Sequence, residues 1–252
     1  MSFKSKVVVV TGSSGGIGAA IAILFAKEGA DVVVIGRDDE KLKNVKEQCE
    51  TYGRTPLVLK ADVSKDDDAK KIIAETINTF GRLDVLVNNA GILRMSSFVD
   101  GTFLRSFDEI NNTNLRAAAH LIQLATPHLI ASQGNVINIS SVAGRQLVCF
   151  ECTAYGVSKA AMDMLTSGAA LELGKYGVRV NAISPGPVRT QILKTTDENA
   201  SVQPESVPIK TILNRTSEPE EIADLVLFVA SDKAKGITGS NLTTDNGYLV
   251  IR

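Results

Sequence analysis

The sequence predicts a doubly wound α/β fold, a parallel sheet with helices on both faces. Three observations lead there. Short β-branched runs alternate with helical patterns through the chain. Those runs are apolar throughout rather than alternating, which marks strands buried on both faces. A glycine-rich turn follows the first run and opens the first helix.

In chain order, Lys6 to Val10 (KVVVV) is the first strand and Ile17 to Glu28 the first helix, stopped by Gly29. Asp31 to Ile35 (DVVVI) is the second strand, followed by a charged helix over Asp39 to Tyr52. Leu57 to Lys60 is a short third strand, Lys65 to Phe80 a helix and Leu83 to Val87 the fourth strand. A long helix over Asn114 to Ile130 precedes the fifth strand, Asn135 to Ile139. A second long helix, Ala154 to Tyr176, precedes the sixth strand, Val178 to Ile183. Glu220 to Ala230 is helical and Ser240 to Thr244 a last strand. Lys194 to Lys210 is polar, Pro-containing and weakly periodic, and reads as a loop or lid within a substrate segment over 191–213. No composition break divides the 252 residues, so 1–252 reads as one domain.

Composition narrows the function. Against 28 acidic residues stand 27 Lys and Arg, a formal charge of −1, so no nucleic-acid or anionic-membrane partner is expected. Three cysteines cannot build a disulfide framework, which favours a reducing interior. No apolar run reaches the roughly 18 residues of a membrane helix, and the N-terminus lacks a signal-peptide layout. A cytoplasmic location is expected, with an organelle interior left open.

Thr11 to Gly18 reads TGSSGGIG, with Gly12, Gly16 and Gly18 at turn-forming spacing. Glycines let backbone approach a phosphate, and a helix N-terminus offers it free N–H groups. The Lys-Ser/Thr of a P-loop is absent. A site that prefers NAD places an acid at the end of strand two for the ribose hydroxyls. Here Gly36 and Arg37 stand there, which favours NADP, although Asp38 and Asp39 weaken the local positive field.

Tyr155-Gly156-Val157-Ser158-Lys159 opens the second long helix, and positions i and i+4 share a face. A cation about 4 Å from a phenol, at an effective dielectric of about 20, favours the phenolate by roughly 4 kcal/mol, about three pKa units. Tyr155 thereby becomes usable as a general acid/base near neutrality.

With these residues in view, the sequence resembles a short-chain dehydrogenase/reductase. The matching motifs, in family order, are TGSSGGIG at 11–18, NNAG at 88–91, NTNL at 112–115, ISS at 139–141, YGVSK at 155–159 and SPGPVRT at 184–190. The resemblance implies a Rossmann-type fold, a nicotinamide cofactor (NADP, with NAD as the alternative) and hydride transfer at a carbonyl or alcohol. It implies Tyr155 as acid/base, Lys159 on the nicotinamide ribose, Ser141 on the substrate oxygen and Asn114 in a water-linked relay to Lys159. Ser140 is the alternative to Ser141, because Ser141 lies one residue further from Tyr155 than is usual in the family. Gly12, Ser14, Gly16, Ile17 and Gly18 would shape the pyrophosphate turn. Asp62 and Val63 would meet the adenine, and Asn88, Ala90 and Gly91 the adenosine ribose. Pro185, Gly186, Val188 and Thr190 would line the nicotinamide side.

A homodimer or homotetramer is implied as well, through the long helices. Their alanines (117–119, 160, 161, 169 and 170) suit close contact, or equally packing on the parent sheet. The last strand ends Asp245-Asn246-Gly247 where the family usually has an acid and two glycines, and Asn tolerates positive φ. Leu147, Val148, Phe150 and Met95 give the small-molecule carbonyl or alcohol substrate an apolar wall. Cys149 and Cys152 read as two thiols in a substrate-facing loop. His120 and His128 read as packing or surface residues, with no metal site expected. The same fold also serves cofactor-sensing binding proteins without catalysis, and the complete Asn114, Ser141, Tyr155 and Lys159 set favours an enzyme.

Overall fold

The computed structural model describes residues 2–192 and 210–251. Seven parallel strands lie in the order β3-β2-β1-β4-β5-β6-β7. They are β1 (Val7–Val10), β2 (Asp31–Gly36), β3 (Leu57–Lys60), β4 (Val85–Asn88), β5 (Asn135–Ile139), β6 (Arg179–Pro185) and β7 (Asn241–Thr244). The chain winds outward twice from β1, once to β3 and once to β7. This places the switch point between β1 and β4, paired Val8↔Val85 to Val10↔Val87.

The helices are α1 (Gly16–Lys27), α2 (Asp39–Glu50), α3 (Asp66–Phe80), α4 (Phe103–Asn111), α5 (Ala117–Ser132), α6 (Thr153–Leu173) and α7 (Pro219–Ala230). Strand period 2 sends Val8 and Val10 to one layer, with Phe25 of α1, Leu42 of α2 and Val226 of α7. Val9 goes to the other, with Ile72 of α3, Leu121 of α5 and Leu173 of α6. Each buried Val or Leu contributes about 1.5–3 kcal/mol, which is why the apolar runs settle as central strands. A third apolar cluster (Ile92, Leu93, Ile110, Ala143, Cys152, Ala154, Tyr155) lies apart from both layers.

The amino-terminal edge is fixed by Asp84. Its carboxylate accepts from Val7 N (3.0 Å), Lys6 Nζ (3.0 Å) and Arg82 Nη2 (2.6 Å). Burial works to raise its pKa, but these donors together hold it below the usual carboxylate range.

Two elements differ from the sequence pattern. The pattern gives no helix over 103–111, where α4 forms; its Phe103, Phe107 and Ile110 at i, i+4 and i+7 join the third cluster. The helix expected to begin at Asn114 instead continues from α4 through a π-helical turn, Asn112–Arg116. The lid over 194–210 lies outside the described residues, apart from Lys210. No helix among the described residues is long and apolar enough to cross a membrane.

Candidate active site

The carboxyl ends of β1, β4, β5 and β6 gather the expected residues. The turn after β1 requires glycine at two kinds of position. Gly12 and Gly16 hold φ of 63° and 53° in the left-handed region. At Gly18 a Cβ would overlap both Gly12 O and the Asn89 amide. Helix α1 therefore starts flush against the turn. Gly15 stands at its N-cap, no side chain caps it, and no acid lies in its first turn. By contrast, α2, α3 and α7 all carry acids in their first turns. The amides at the start of α1 are thus left for an anion, and the helix dipole favours one. Ile17 points back onto the core layer of α1.

At the next strand end, space and charge differ from an acid-bearing site. A Cβ at Gly36 would lie 2.8 Å from Ser14 Cβ and 2.9 Å from Ser14 Oγ, so no carboxylate side chain fits there while Ser14 stays. Arg37 is exposed beside it. The neighbouring acids are engaged elsewhere: Asp38 accepts from Lys41 N at 3.1 Å as the cap of α2, and Asp39 pairs with Lys60 at 2.5 Å. Their weakening of the local field is smaller than the bare sequence implies. Asp62 accepts from Ser64 N (3.1 Å) and Ser64 Oγ (2.7 Å). Burial raises its pKa, but those bonds, with Arg37 and Lys65, leave it lowered and the carboxylate ionised. Val63 is a core side chain.

After β4, Asn88 turns away from the turn: its Nδ2 donates to Asn138 Oδ1 at 2.9 Å. The neighbouring residue, Asn89, faces the glycine turn instead. Asn89 Nδ2 donates to Thr11 O (2.8 Å) and Gly12 O (3.1 Å), while the amides of Asn89 and Ala90 both donate to Thr11 Oγ1 (3.0 Å). Ala90 is so close that a Cβ on Gly12 would lie 2.8 Å from its Cα. Gly91 leads to Ile92, whose backbone is bracketed by Asn114: Oδ1 accepts from Ile92 N (2.8 Å) and Nδ2 donates to Ile92 O (3.0 Å). Asn114 Nδ2 also reaches Ser158 Oγ at 3.3 Å. The π-helical turn aims Asn114 inward, a use of such turns that recurs at functional sites.

Tyr155 and Lys159 lie in the first two turns of α6, both buried. Lys159 Nζ sits 5.5 Å from the Tyr155 ring centre and donates to Ile139 O at 2.8 Å. Burial pushes the phenol up to about 12, with the Ser141 hydroxyl drawing it back. Burial likewise pushes the Lys159 ammonium down to about 8, against the pull of Asp163. The expected lowering of the Tyr155 pKa is thus not what the protein matrix produces. Desolvation of the buried phenol is the larger cause, and the Ser141 hydrogen bond offsets only part of it.

The two serines of ISS separate cleanly. Ser141 faces Tyr155 and caps the short turn that follows, accepting from Ala143 N at 3.1 Å. Ser140 donates to Asp163 Oδ1 at 2.6 Å, away from Tyr155. Pro185 ends β6, and at Gly186 a Cβ would lie 2.7 Å from Asp245 Cα. Val188 bridges to Ser217, and Thr190 covers the phosphate turn, 3.3 Å from where a Cβ on Gly16 would stand. Asn246 (φ 53°) and Gly247 (φ 77°) carry the closing turn as expected.

Residues 12–249 match the family model described as enoyl-(acyl carrier protein) reductase. An A-factor type gamma-butyrolactone 1'-reductase from Streptomyces virginiae is 35 % identical over 98 % of this chain and 96 % of its own. A short-chain dehydrogenase from Burkholderia cenocepacia, solved with NADP, superposes with a TM-score of 0.90 at 31 % identity, covering 99 % of this chain and all of that one. A 7α-hydroxysteroid dehydrogenase solved with NADH and 7-oxoglycochenodeoxycholic acid gives 0.89 at 30 % identity, covering 98 % and 95 %. The chain belongs to the short-chain dehydrogenase/reductase family.

As a member of that family it is an oxidoreductase with a nicotinamide cofactor site, and the glycine turn and uncapped α1 fit the dinucleotide pyrophosphate. Three features of this dehydrogenase/reductase escaped the sequence pattern. Asn89 locks the turn, and the second Asn of NNAG was its only trace. Asp163 holds Ser140, and its signal was an acid one turn beyond Lys159. The third corrects the reading of two thiols: Cys149 and Cys152 form a disulfide. The tight turn between them brings their Cα atoms to 5.5 Å, inside the bonding range.

Proposed function

We propose that this chain interconverts a carbonyl and a secondary alcohol on an apolar small molecule, with NADP(H) preferred and Tyr155 as the proton donor and acceptor. The observation that carries this reading is the burial of Tyr155 beside Ser141 and Lys159 at the carboxyl edge, within an apolar cluster. When bound, the nicotinamide supplies or takes the hydride. Ser141 holds the substrate oxygen next to the phenol. Tyr155 gives its proton to that oxygen in reduction and takes it back in oxidation. Lys159 supplies positive charge as the phenolate forms and lies within reach of a ribose hydroxyl. Asn114, by bracketing Ile92, keeps the cleft wall in register and stands beside Ser158 for a relay toward Lys159.

Gly36 and Arg37 support NADP: there is no room for a ribose-binding acid, and a cation stands ready for the 2′-phosphate. Ile92, Leu93, Met95, Val148 and Ile192, packed together around Tyr155, support an apolar substrate. Exposed Val157, Met164 and Leu171 recur every seven residues on α6 and support pairing of that helix with a second subunit, as a homodimer or homotetramer. Three of the seven alanines do not add to this. Ala117, Ala118 and Ala170 are buried in this chain's own core.

The test is a ketone panel (cyclohexanone, acetophenone, 2-decanone, a 3-ketosteroid, menadione) with NADPH consumption as readout, run on wild type and Tyr155→Phe. The variant is expected to lose at least about a hundredfold in kcat, the low end for general acid/base catalysis, while binding NADPH nearly as before. Near-wild-type turnover removes the assignment.

A further inference from the structure

The proposed chemistry leaves the Cys149–Cys152 pair unused, although it adjoins the reacting phenol. Cys152 is the N-cap of α6, so the bond sits three residues before Tyr155. Its sulfur lies 3.7 Å from Met95 Sδ, and both residues pack in the cluster that contains Tyr155. Cys149, in contrast, is exposed. Between them Phe150 projects into solvent, and Glu151 holds φ of 62°. A glutamate keeps that left-handed conformation only where its surroundings impose it. Glu151 O also accepts from Ser96 N at 3.0 Å, which ties the turn to the segment carrying Met95.

We propose that Cys149 and Cys152 are a reversible dithiol/disulfide site, exchanging with low-molecular-weight thiols and disulfides, and that its state sets the shape of the substrate side of the cleft. The consequence for turnover rests on the reading of Tyr155 given above. In the reducing direction an external thiolate attacks the sulfur of exposed Cys149. The Cys149–Cys152 bond breaks, Cys152 leaves as thiolate and takes a proton, and Cys149 is held in a mixed disulfide. A second external thiolate attacks the external sulfur of that mixed disulfide, and Cys149 leaves as thiolate and is protonated. In sum the protein disulfide gains two electrons and two protons, and two external thiols become one disulfide. A small disulfide as oxidant drives the same steps backward.

Access selects the direction of attack. Cys149 is an exposed residue, whereas Cys152 is buried with its sulfur against Met95. Opening the bond removes the covalent hold on Glu151, and its backbone can leave the left-handed region. The Ser96–Glu151 hydrogen bond and the Met95–Cys152 contact then lose their common anchor. The apolar wall beside Tyr155 loosens, while the glycine turn on the far side of the cleft has no connection to the pair.

The experiment uses the full chain treated with dithiothreitol or with oxidised glutathione. Thiols are counted by alkylation under native conditions and intact mass. Amide exchange is followed over 95–98 and 147–156, and kcat/KM is measured for the panel ketone turned over fastest. Labelling at the exposed Cys149 is expected after reduction and none after oxidation, with buried Cys49 unlabelled in both. Exchange in both segments should rise about fivefold or more on reduction, the low end for releasing a left-handed non-glycine residue. Amides of the 12–18 turn should not change, and kcat/KM should differ by a similar factor between the two forms. Cys149→Ser should show the reduced-form values under both treatments.

A bond that resists thiol in the folded protein overturns the proposal. So does reduction that leaves exchange at 95–98 and kcat/KM within twofold. Amide exchange requires no turnover, so failure of the Tyr155 assignment would show separately, as an active Tyr155→Phe.

Discussion

Arg37→Ala should weaken NADPH and leave NADH almost unchanged. Arg37 stands exposed at the end of β2, and the two acids that follow it are occupied by the α2 cap and by Lys60. A guanidinium about 4 Å from a phosphate charge gains about 1 kcal/mol at the dielectric of water and about 4 kcal/mol at an effective dielectric of 20. Exposure of Arg37 places it in the lower part of that range. A charge-assisted hydrogen bond gives about 1.5–3 kcal/mol by mutational measure, so both routes lead to roughly a ten- to hundredfold rise in the Kd for NADPH.

The assay is fluorescence titration of NADPH and NADH against wild type and variant at two salt concentrations. Because the side chain is exposed, the NADPH difference should shrink as the Debye length falls from about 30 Å at 0.01 M to about 3 Å at 1 M. A second reporter is Asp62, whose carboxyl is held down in part by Arg37, so its pKa should move up in the variant. Equal weakening of NADH and NADPH, or no change in either, would refute the reasoning.

Other outcomes follow from the turn and from the buried lysine. Gly18→Ala should lower NADPH affinity together with stability. Its Cβ displaces Asn89, which breaks two hydrogen bonds to the turn at about 1 kcal/mol each and adds about 1–3 kcal/mol of overpacking. Urea denaturation and NADPH titration check both effects. For Lys159, the folded pKa of about 8 lies below its ordinary 10.5. The unfolded chain therefore binds the extra proton between those values, and this group's contribution to stability is lost as pH falls from about 10.5 to about 8. Relative to Lys159→Met, wild type should gain stability over that same rise in pH, by an amount of the order of 3 kcal/mol. A flat difference between the two denaturation profiles would show that Lys159 is not desolvated as the structure has it.

Strands, most helices and the glycine turn were legible because each depends on local periodicity or on the sterics of neighbouring residues. β-Branched runs such as VVVV, alternating with helical patterns, suit strands buried on both faces of a parallel sheet. YGVSK was legible for the same reason: helical spacing alone puts phenol and ammonium on one face. Helix α4 was not, because its apolar stripe is short and finds its partners far along the chain, in α6 and in the loops after β4 and β5.

The sequence by itself determined the architecture, the glycine turn and the helix face shared by Tyr155 and Lys159. Tertiary structure alone decided which of two adjacent, chemically identical residues does which task. Asn89 rather than Asn88 holds the turn, and Ser141 rather than Ser140 faces Tyr155. Successive side chains at a strand end point to opposite sides, and only the long-range register of β4 and β5 fixes which side is the cleft. The sign of the Tyr155 shift belongs with these. Sequence spacing brings a cation near the phenol, but the burial that raises the phenol's pKa arises from residues dozens of positions away, assembled only when the sheet has formed.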